Sequence, residues 1–179
     1  GLNVTSNGFF NLTNVTLIVD DLVVDNNGKF SITDSHSTVW LNGNWTIYGQ
    51  VNITNSTVRM NGTGDGYNGI NVTPTGWLII NESSNITNGD VGAAEYFFVV
   101  LSGSNFSMDN SYLSECGWEG VDNHRGLEIS TTVDSFKNNV LHDNYNGLFI
   151  MSDNSIYENL TVIDNNNQGI YVDGGNNNI

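Results

Sequence analysis

The chain has 179 residues, of which 38% are apolar and only 13% charged, and 19 acidic against four basic side chains give a formal net charge of −15. This length suffices for one domain with a hydrophobic core. The charge argues against nucleic acid as a partner and disfavours anionic membranes and polyanionic substrates, unless calcium bridges them. The helix formers Ala, Leu, Lys and Glu are scarce, whereas β-branched and aromatic residues are plentiful, which favours an all-β protein.

Strand-like runs alternate with turns along the first 105 residues. Runs at 17–19, 22–24, 30–33 and 39–41 alternate with Asn-Gly turns such as Asn27-Gly28 and Asn42-Gly43, and we predict irregular N-terminal coils or a cap over residues 1–44. Over residues 45–105 apolar and polar residues alternate more cleanly, as in a strand with one face in the core. In such strands we expect Trp40, Trp45 and Trp77 to point into the core.

A repeated phrase of about 21 residues organises the rest of the chain. Gly126-Leu-Glu-Ile-Ser, Gly147-Leu-Phe-Ile-Met and Gly169-Ile-Tyr-Val-Asp each precede a polar stretch rich in asparagine. A fixed period with one short apolar strand per unit is typical of a stacked solenoid. We therefore predict one β-helix domain over residues 1–179, with six to seven coils of 21–30 residues. Residues 106–179 would form regular coils with Asn turns, interrupted by a loop at 115–125.

The phrase resembles the repeats of parallel β-helix proteins of the pectate-lyase-like and NosD types. That resemblance covers residues 126–179 well and 45–88 loosely, and it implies a right-handed, single-stranded parallel β-helix. An antiparallel sandwich is the alternative for short strands at this spacing. A recurring Gly-apolar phrase argues against the sandwich, because hairpins do not need it, and stacked coils would align asparagines into ladders at the turns.

Twelve Asn-x-Ser/Thr sequons are the second feature of the chain. Roughly five to six would arise by chance from this composition, and ten of the 15 threonines belong to sequons. Eleven of the 17 asparagines up to Asn105 lie in sequons, against one of the 14 that follow. We predict N-glycosylation at several of them: Asn3, Asn11, Asn14, Asn44, Asn52, Asn55, Asn61, Asn71, Asn81, Asn85, Asn105 and Asn159. In nine sequons the middle residue is apolar and would face the core, leaving the asparagine outside.

Glycosylation would place the protein outside the cell or at its surface. Dense sequons on an acidic, Asn-rich β-helix resemble archaeal cell-surface and surface-layer proteins. The chain opens at Gly1 without an initiator Met, a signal peptide or an apolar run of membrane length, and it stops within a repeat. We interpret it as a mature or excised piece of a longer protein.

Catalytic patterns of this fold are missing from the sequence. Polyuronide lyases need a basic residue as base beside an acidic calcium site, and polygalacturonase-like hydrolases need clustered aspartates with His and a basic clamp. Only four basic residues are present, and Asp20 and Asp21 would point to opposite faces of a strand. Cys116 is the single cysteine, so there is no internal disulfide and no zinc-type spacing.

The best candidate ligand site is the loop at 115–125 together with the strand that follows it. Its chemistry-bearing residues are Glu115, Trp118, Glu119, Asp122, His124, Arg125 and Glu128. Trp118 could stack on a sugar face, since loops on a rigid scaffold often carry function. A solvated loop with Trp118 and Cys116 packed against the coil is the structural alternative. We expect no cofactor, apart from calcium weakly bound by acidic and Asn turns.

The sequence thus predicts a non-enzymatic, N-glycosylated extracellular structural protein, such as a surface layer, sheath, filament or adhesin module. Its partners would be further copies of itself or adjacent domains, together with its covalent glycans. The alternative is a polysaccharide-binding or polysaccharide-cleaving domain that acts through the loop at 115–128.

Overall fold

A computed structural model describes residues 1–62, 64–89, 95–120 and 124–179, and all its strands pair in parallel. The first sheet contains β1 (Leu2–Val4), β4 (Leu22–Val24), β7 (Trp45–Ile47), β10 (Gly69–Val72), β13 (Phe97–Val100), β16 (Gly126–Ile129), β19 (Asn146–Ile150) and β21 (Ile170–Val172). The second contains β2 (Phe9–Thr13), β5 (Lys29–Thr33), β8 (Gln50–Thr54), β11 (Trp77–Asn81), β14 (Asn105–Asp109) and β17 (Ser135–Lys137). The third contains β3 (Thr16–Val19), β6 (Thr38–Leu41), β9 (Thr57–Met60), β12 (Asn85–Asn88), β15 (Tyr112–Ser114), β18 (Val140–His142) and β20 (Thr161–Ile163).

This arrangement is a single-stranded parallel β-helix, so the predicted fold is confirmed and the antiparallel sandwich is wrong. Each coil contributes one strand to each sheet before the chain climbs to the next coil. Within the described ranges, the inward residues of the first sheet recur after 20, 23, 25, 28, 29, 21 and 22 residues. These are seven coils and the start of an eighth, and eight strands at about 4.8 Å spacing give a sheet about 34 Å long.

Residues 1–44 belong to the same three sheets. β1, β2 and β3 pair along their whole lengths with β4, β5 and β6. The sequence predicted irregular coils or a cap here. In this part the Gly-apolar phrase of the later coils precedes β1, as Gly1-Leu2-Asn3-Val4, but not β4, whereas the inward alternation that sets strand register is present in both.

The glycines of the repeated phrase are explained by close packing of successive coils. A Cβ atom at Gly126 would collide with the carbonyl oxygen of Asn146, and one at Gly147 with that of Gly169. Each phrase then enters the first sheet, where Leu127, Leu148 and Ile170 are in register. At Gly126 and Gly147 a larger residue would therefore force two coils apart, whereas at Gly169 a Cβ atom would make only an ordinary contact, 3.5 Å from Val162.

The core is a column of inward-facing side chains enclosed by the three sheets. In the second sheet Phe10 stacks on Phe30 with ring centroids 5.8 Å apart, and further along Phe106, Phe136 and Tyr157 pack in sequence at 6.2 and 5.3 Å. Trp45 is fully buried, as predicted.

Two predicted core tryptophans face outward instead. Trp77 is 43% exposed on the outside of β11, and Trp40 lies on the outside of β6 beneath the guanidinium of Arg59, 5.2 Å from its ring centroid. The neighbours Leu78, Val39 and Leu41 point inward, and strict alternation then forces both tryptophans out. Among the described residues there is no helix with the length and apolar character to span a bilayer.

Candidate functional site: outward asparagines and the corner loops

The sequon asparagines all lie on the outside of the coil. Six are exposed (Asn3, Asn11, Asn14, Asn55, Asn105 and Asn159) and six are half-buried (Asn44, Asn52, Asn61, Asn71, Asn81 and Asn85). Four asparagines elsewhere are buried, namely Asn88, Asn139, Asn144 and Asn146, and none of these belongs to a sequon. Within the described ranges no buried asparagine therefore belongs to a sequon, although asparagines outside sequons, such as Asn26, Asn110 and Asn138, are exposed as well.

The strand alternation produces this outward placement. Of the nine sequons with an apolar middle residue, seven bury that residue in the core: Val4, Leu12, Trp45, Ile53, Val72, Ile86 and Phe106. In β2 the amide nitrogen of Asn11 lies 3.4 Å from the hydroxyl of Thr13, its own sequon partner on the same face. The predicted geometry is wrong at Val15, which is 42% exposed, because Asn14 adopts a positive φ of 54° and interrupts the alternation at a corner.

Four of the half-buried sequon asparagines share an amide orientation. Their Oδ1 atoms are buried and have no hydrogen-bond partner among the described residues (Asn52, Asn71, Asn81 and Asn85). The amide nitrogen is therefore the atom nearer to solvent. N-glycosylation modifies that nitrogen, so these side chains present the reactive atom outward.

Two sequon asparagines also belong to ladders. The amide nitrogen of Asn159 donates to Oδ1 of Asn138 at 2.8 Å, and Asn138 donates to Asn110 at 3.0 Å. All three have positive φ angles at the corner between the second and third sheets, a conformation that asparagine tolerates. Asn61 donates in the same way to Oδ1 of Asn42 at 3.0 Å.

Buried asparagines hold neighbouring coils together. Asn144 accepts a hydrogen bond from the backbone N–H of Cys116 at 2.9 Å and donates to the carbonyl oxygen of Leu113. Asn139 bonds in the same manner to the backbone of Ser111 and of Met108. These amides satisfy backbone groups that the corners leave without a sheet partner.

The predicted ligand loop lies at the corner between the third and first sheets. In three successive coils the connection at this corner spans 61–68, 89–96 and 115–125, and the length of these connections accounts for the longest coils. Their described residues make contacts from one coil to the next. Glu95 donates its N–H to Asp65 at 3.0 Å, and Gly66 donates to the carbonyl oxygen of Glu95 at 2.7 Å. The structure thereby adds Asp65 and Glu95 to the predicted residues Glu115 and Glu119. The proximity of these four acidic residues could not be recognised in the sequence, because residues one coil apart are separated by 20–30 positions.

The acidic side chains at this corner influence one another. Burial, followed by the charges of Asp65, Glu115 and Glu119, raises the pKa of Glu95. Glu115 accepts a hydrogen bond from the hydroxyl of Thr87 at 3.0 Å. No three His, Cys, Asp or Glu side chains of the described ranges converge closely enough to bind a metal ion together. Weak calcium binding stays a prediction.

Trp118 and Cys116 pack against the coil. The indole of Trp118 lies on Gly66, where a Cβ atom would be 3.1 Å from its Cδ1. Cys116 is buried, and burial raises the pKa of its thiol well above the usual range, so the thiol stays protonated. Trp118 itself is half-buried, and both side chains pack on the coil as in the structural alternative.

The remaining predicted residues lie on or beside the outer face of the first sheet. The ring of His124 stacks on Phe97 with centroids 4.2 Å apart, and Arg125 is half-buried. Glu128 is only 6% exposed between Val99 and Phe149, and burial raises the pKa of its carboxyl. Asp122 lies outside the described residues. The structure therefore divides the predicted loop between two surfaces.

A groove that the sequence did not predict lies where the first sheet turns into the second. It has a volume of about 510 Å³, and its lining includes two exposed aromatic residues, Tyr48 and Trp77. The exposure of Trp77 could have been found from the alternation around Leu78. Comparison with family models, curated proteins and solved structures finds no significant match to this chain.

Proposed function

We propose that this chain is an N-glycosylated, non-enzymatic structural protein of the cell surface or extracellular space. One observation carries the proposal: all twelve sequon asparagines lie outside the coil, whereas the buried asparagines lie outside sequons. If Asn-x-Thr arose only from strand alternation, sequons would be expected on strands throughout the chain, yet eleven of the twelve sequons lie before residue 106. The pectate-lyase-like and NosD-type resemblance of residues 126–179, and the archaeal surface-protein character, belong to this proposal.

Glycans would surround the first coils on several sides. The outer face of the second sheet carries Asn11, Asn52, Asn81 and Asn105, and its corner with the third sheet carries Asn14 and Asn55. Covalent glycans on an acidic surface would keep the flanks soluble and would leave the two ends for contacts. This arrangement suits a rod that is extended along its axis.

Self-association along the axis is part of this proposal. Each coil adds one parallel strand to each of the three sheets, and parallel pairing of this kind can continue from one molecule to the next. We propose that further copies of this β-helix, or adjacent domains of a longer chain, are the partners.

Electron microscopy of the protein from its native source tests this function. Filaments, sheets or strings of rods joined end to end, together with a loss of mass after enzymatic removal of N-glycans, are the expected result. Dispersed rods of unmodified mass would contradict both parts of the proposal.

Saccharide binding at the corner loops is the second candidate function. The gathering of Asp65, Glu95, Glu115 and Glu119 favours it, because a carboxyl whose pKa is raised can donate a proton or a hydrogen bond to a sugar. Trp118→Ala and His124→Ala should then weaken binding or turnover of polysaccharide. Unchanged binding in both variants would exclude this candidate.

A further inference from the structure

The groove between the first and second sheets has the composition of a saccharide-binding surface. Its walls are formed by Asn26, Lys29, Tyr48, Gln50, Thr75 and Trp77. Tyr48 and Trp77 are 42 and 43% exposed, and aromatic faces of this kind pack against the C–H faces of pyranose rings. Uncharged amides and a hydroxyl supply the hydrogen bonds that sugar hydroxyls need.

The polar groups of the groove are already ordered by contacts between coils. The hydroxyl of Thr75 lies 2.8 Å from Oδ1 of Asn26 and 3.0 Å from the carbonyl oxygen of Tyr48. Gln50 is the direct sheet neighbour of Trp77, and Lys29 is the next residue in the same row. The groove is therefore a continuous surface over three coils.

A sequon asparagine stands at one side of this row. Asn105 is the sheet neighbour of Trp77 on the side opposite to Gln50, so the outward row runs Lys29, Gln50, Trp77, Asn105. Neighbouring strands are about 4.8 Å apart, which is within reach of the first sugar of a glycan on Asn105. A glycan on Asn105 that extends along this row passes over Trp77 before it reaches the rest of the groove.

Exposed aromatic residues adjoin two further sequons. Phe9, 69% exposed, precedes Asn11 by two residues on the same face of β2, and Tyr112, 44% exposed, is the sheet neighbour of Asn85. By contrast, Asn3 has Val23 as its neighbour, and its strand carries no aromatic residue. Outward aromatic side chains are costly to hydrate, so their recurrence beside sequons calls for an apolar partner.

We propose that Trp77 is the platform for the glycan carried by Asn105, and that the groove holds the outer sugars of that same glycan. This inference rests on the proposed glycosylation and adds its physical role. The sugar covers the indole, and the glycan then stabilises the folded coil as well as solubilising it. Phe9 and Tyr112 serve the glycans of Asn11 and Asn85 in the same way.

A double-mutant cycle in the glycosylating source tests the inference. The variants are Trp77→Thr, Asn105→Gln and their combination, with site occupancy read from glycopeptides and stability from thermal unfolding. We expect Asn105→Gln to lower the Tm by about 2–4 °C more when Trp77 is present than when it is Thr. The matched pair Val23→Thr and Asn3→Gln should be additive, and coupling should vanish in protein made without glycans.

The outcomes separate this inference from the proposed function. Additive effects with Asn105 occupied, or an empty Asn105 beside occupied sequons, would overturn the inference and leave glycosylation standing. Empty sequons throughout would overturn both. Binding of a free oligosaccharide to the groove of protein whose Asn105 is glycosylated would show that another ligand occupies it, and would also overturn the inference.

Discussion

The parts of the chain before and after residue 106 use asparagine in opposite ways. Up to Asn105, eleven of the 17 asparagines lie in sequons, seven of them on strands; after it, asparagines form corner ladders or enter the coil to bind backbone groups. The outer row of the first sheet runs Asn3, Val23, Thr46, Asn71, Val99, Glu128, Phe149 and Tyr171, so its last four residues include no asparagine or threonine. The same fold thus carries eleven of the twelve sequons in its first part and one, at Asn159, in its second.

The comparison teaches that backbone conformation and strand position together decide what an asparagine does. On a strand the alternation sets the direction of the side chain: Asn3, Asn11 and Asn105 are exposed, whereas Asn88 and Asn146 are buried. At a corner the left-handed conformation directs the amide along the stack, where it meets the amide of the next coil. Asn159 combines both situations, with a φ of 50°, a sequon and a ladder bond.

The largest effect is expected from a buried asparagine of the later coils. Asn144→Ala would leave the N–H of Cys116 and the carbonyl of Leu113 without partners in the core, which should cost about 2–4 kcal/mol of unfolding free energy. Asn3→Ala, on an exposed strand, should change it by less than about 0.5 kcal/mol. Urea unfolding of glycan-free protein measures both, and equal effects would abolish the distinction between the two groups.

A corner ladder should contribute less, and through two separable terms. Asn138→Ala removes two side-chain hydrogen bonds and places alanine at a φ of 56°, for a loss of about 2 kcal/mol. Asn138→Gly removes the same bonds without the backbone strain and should cost about 1 kcal/mol. If glycine is as harmful as alanine in urea unfolding, backbone strain makes no contribution there.

The fold and the placement of the sequons could be predicted from the sequence, whereas contacts between coils at the corners could not. The coil follows from the repeat, in which glycine recurs where a Cβ atom would meet the backbone of the next coil, as at Gly147. Sequon placement follows from alternation, which a corner such as Asn14 interrupts. The meeting of Asp65 with Glu95 could not be predicted, because the connection lengths that align one coil with the next vary.

The carboxyl of Glu128 should make stability depend on pH. Its pKa in the folded protein is raised by burial from the ordinary 4.5, so the folded state binds its proton more tightly than the unfolded state. Its contribution is most favourable below pH 4.5 and is lost as the pH rises through the folded pKa. Glu128→Gln should therefore stabilise the protein at pH 7 and have little effect at pH 4.

Unfolding curves at the two pH values measure this difference. Glu158→Gln, at an exposed position, controls for the change in net charge. Destabilisation by Glu128→Gln at neutral pH would mean that the ionised carboxylate has a favourable partner in the fold.

The smallest effect is expected from the outward sequon side chains themselves. Replacement of Asn3, Asn11 and Asn105 together by Gln should alter the unfolding free energy of glycan-free protein by less than about 1 kcal/mol, because all three are exposed on extended strands. Calorimetry of the triple variant checks this. A large loss would show that these asparagines are structural.

Glycopeptide mapping of the native-source protein tests the central claim most directly, because it reads each asparagine separately. The account predicts glycans on exposed strand sequons such as Asn3, Asn11 and Asn105, and none on the buried Asn139, Asn144 or Asn146. A protein without glycans at any of its twelve sequons would contradict the account.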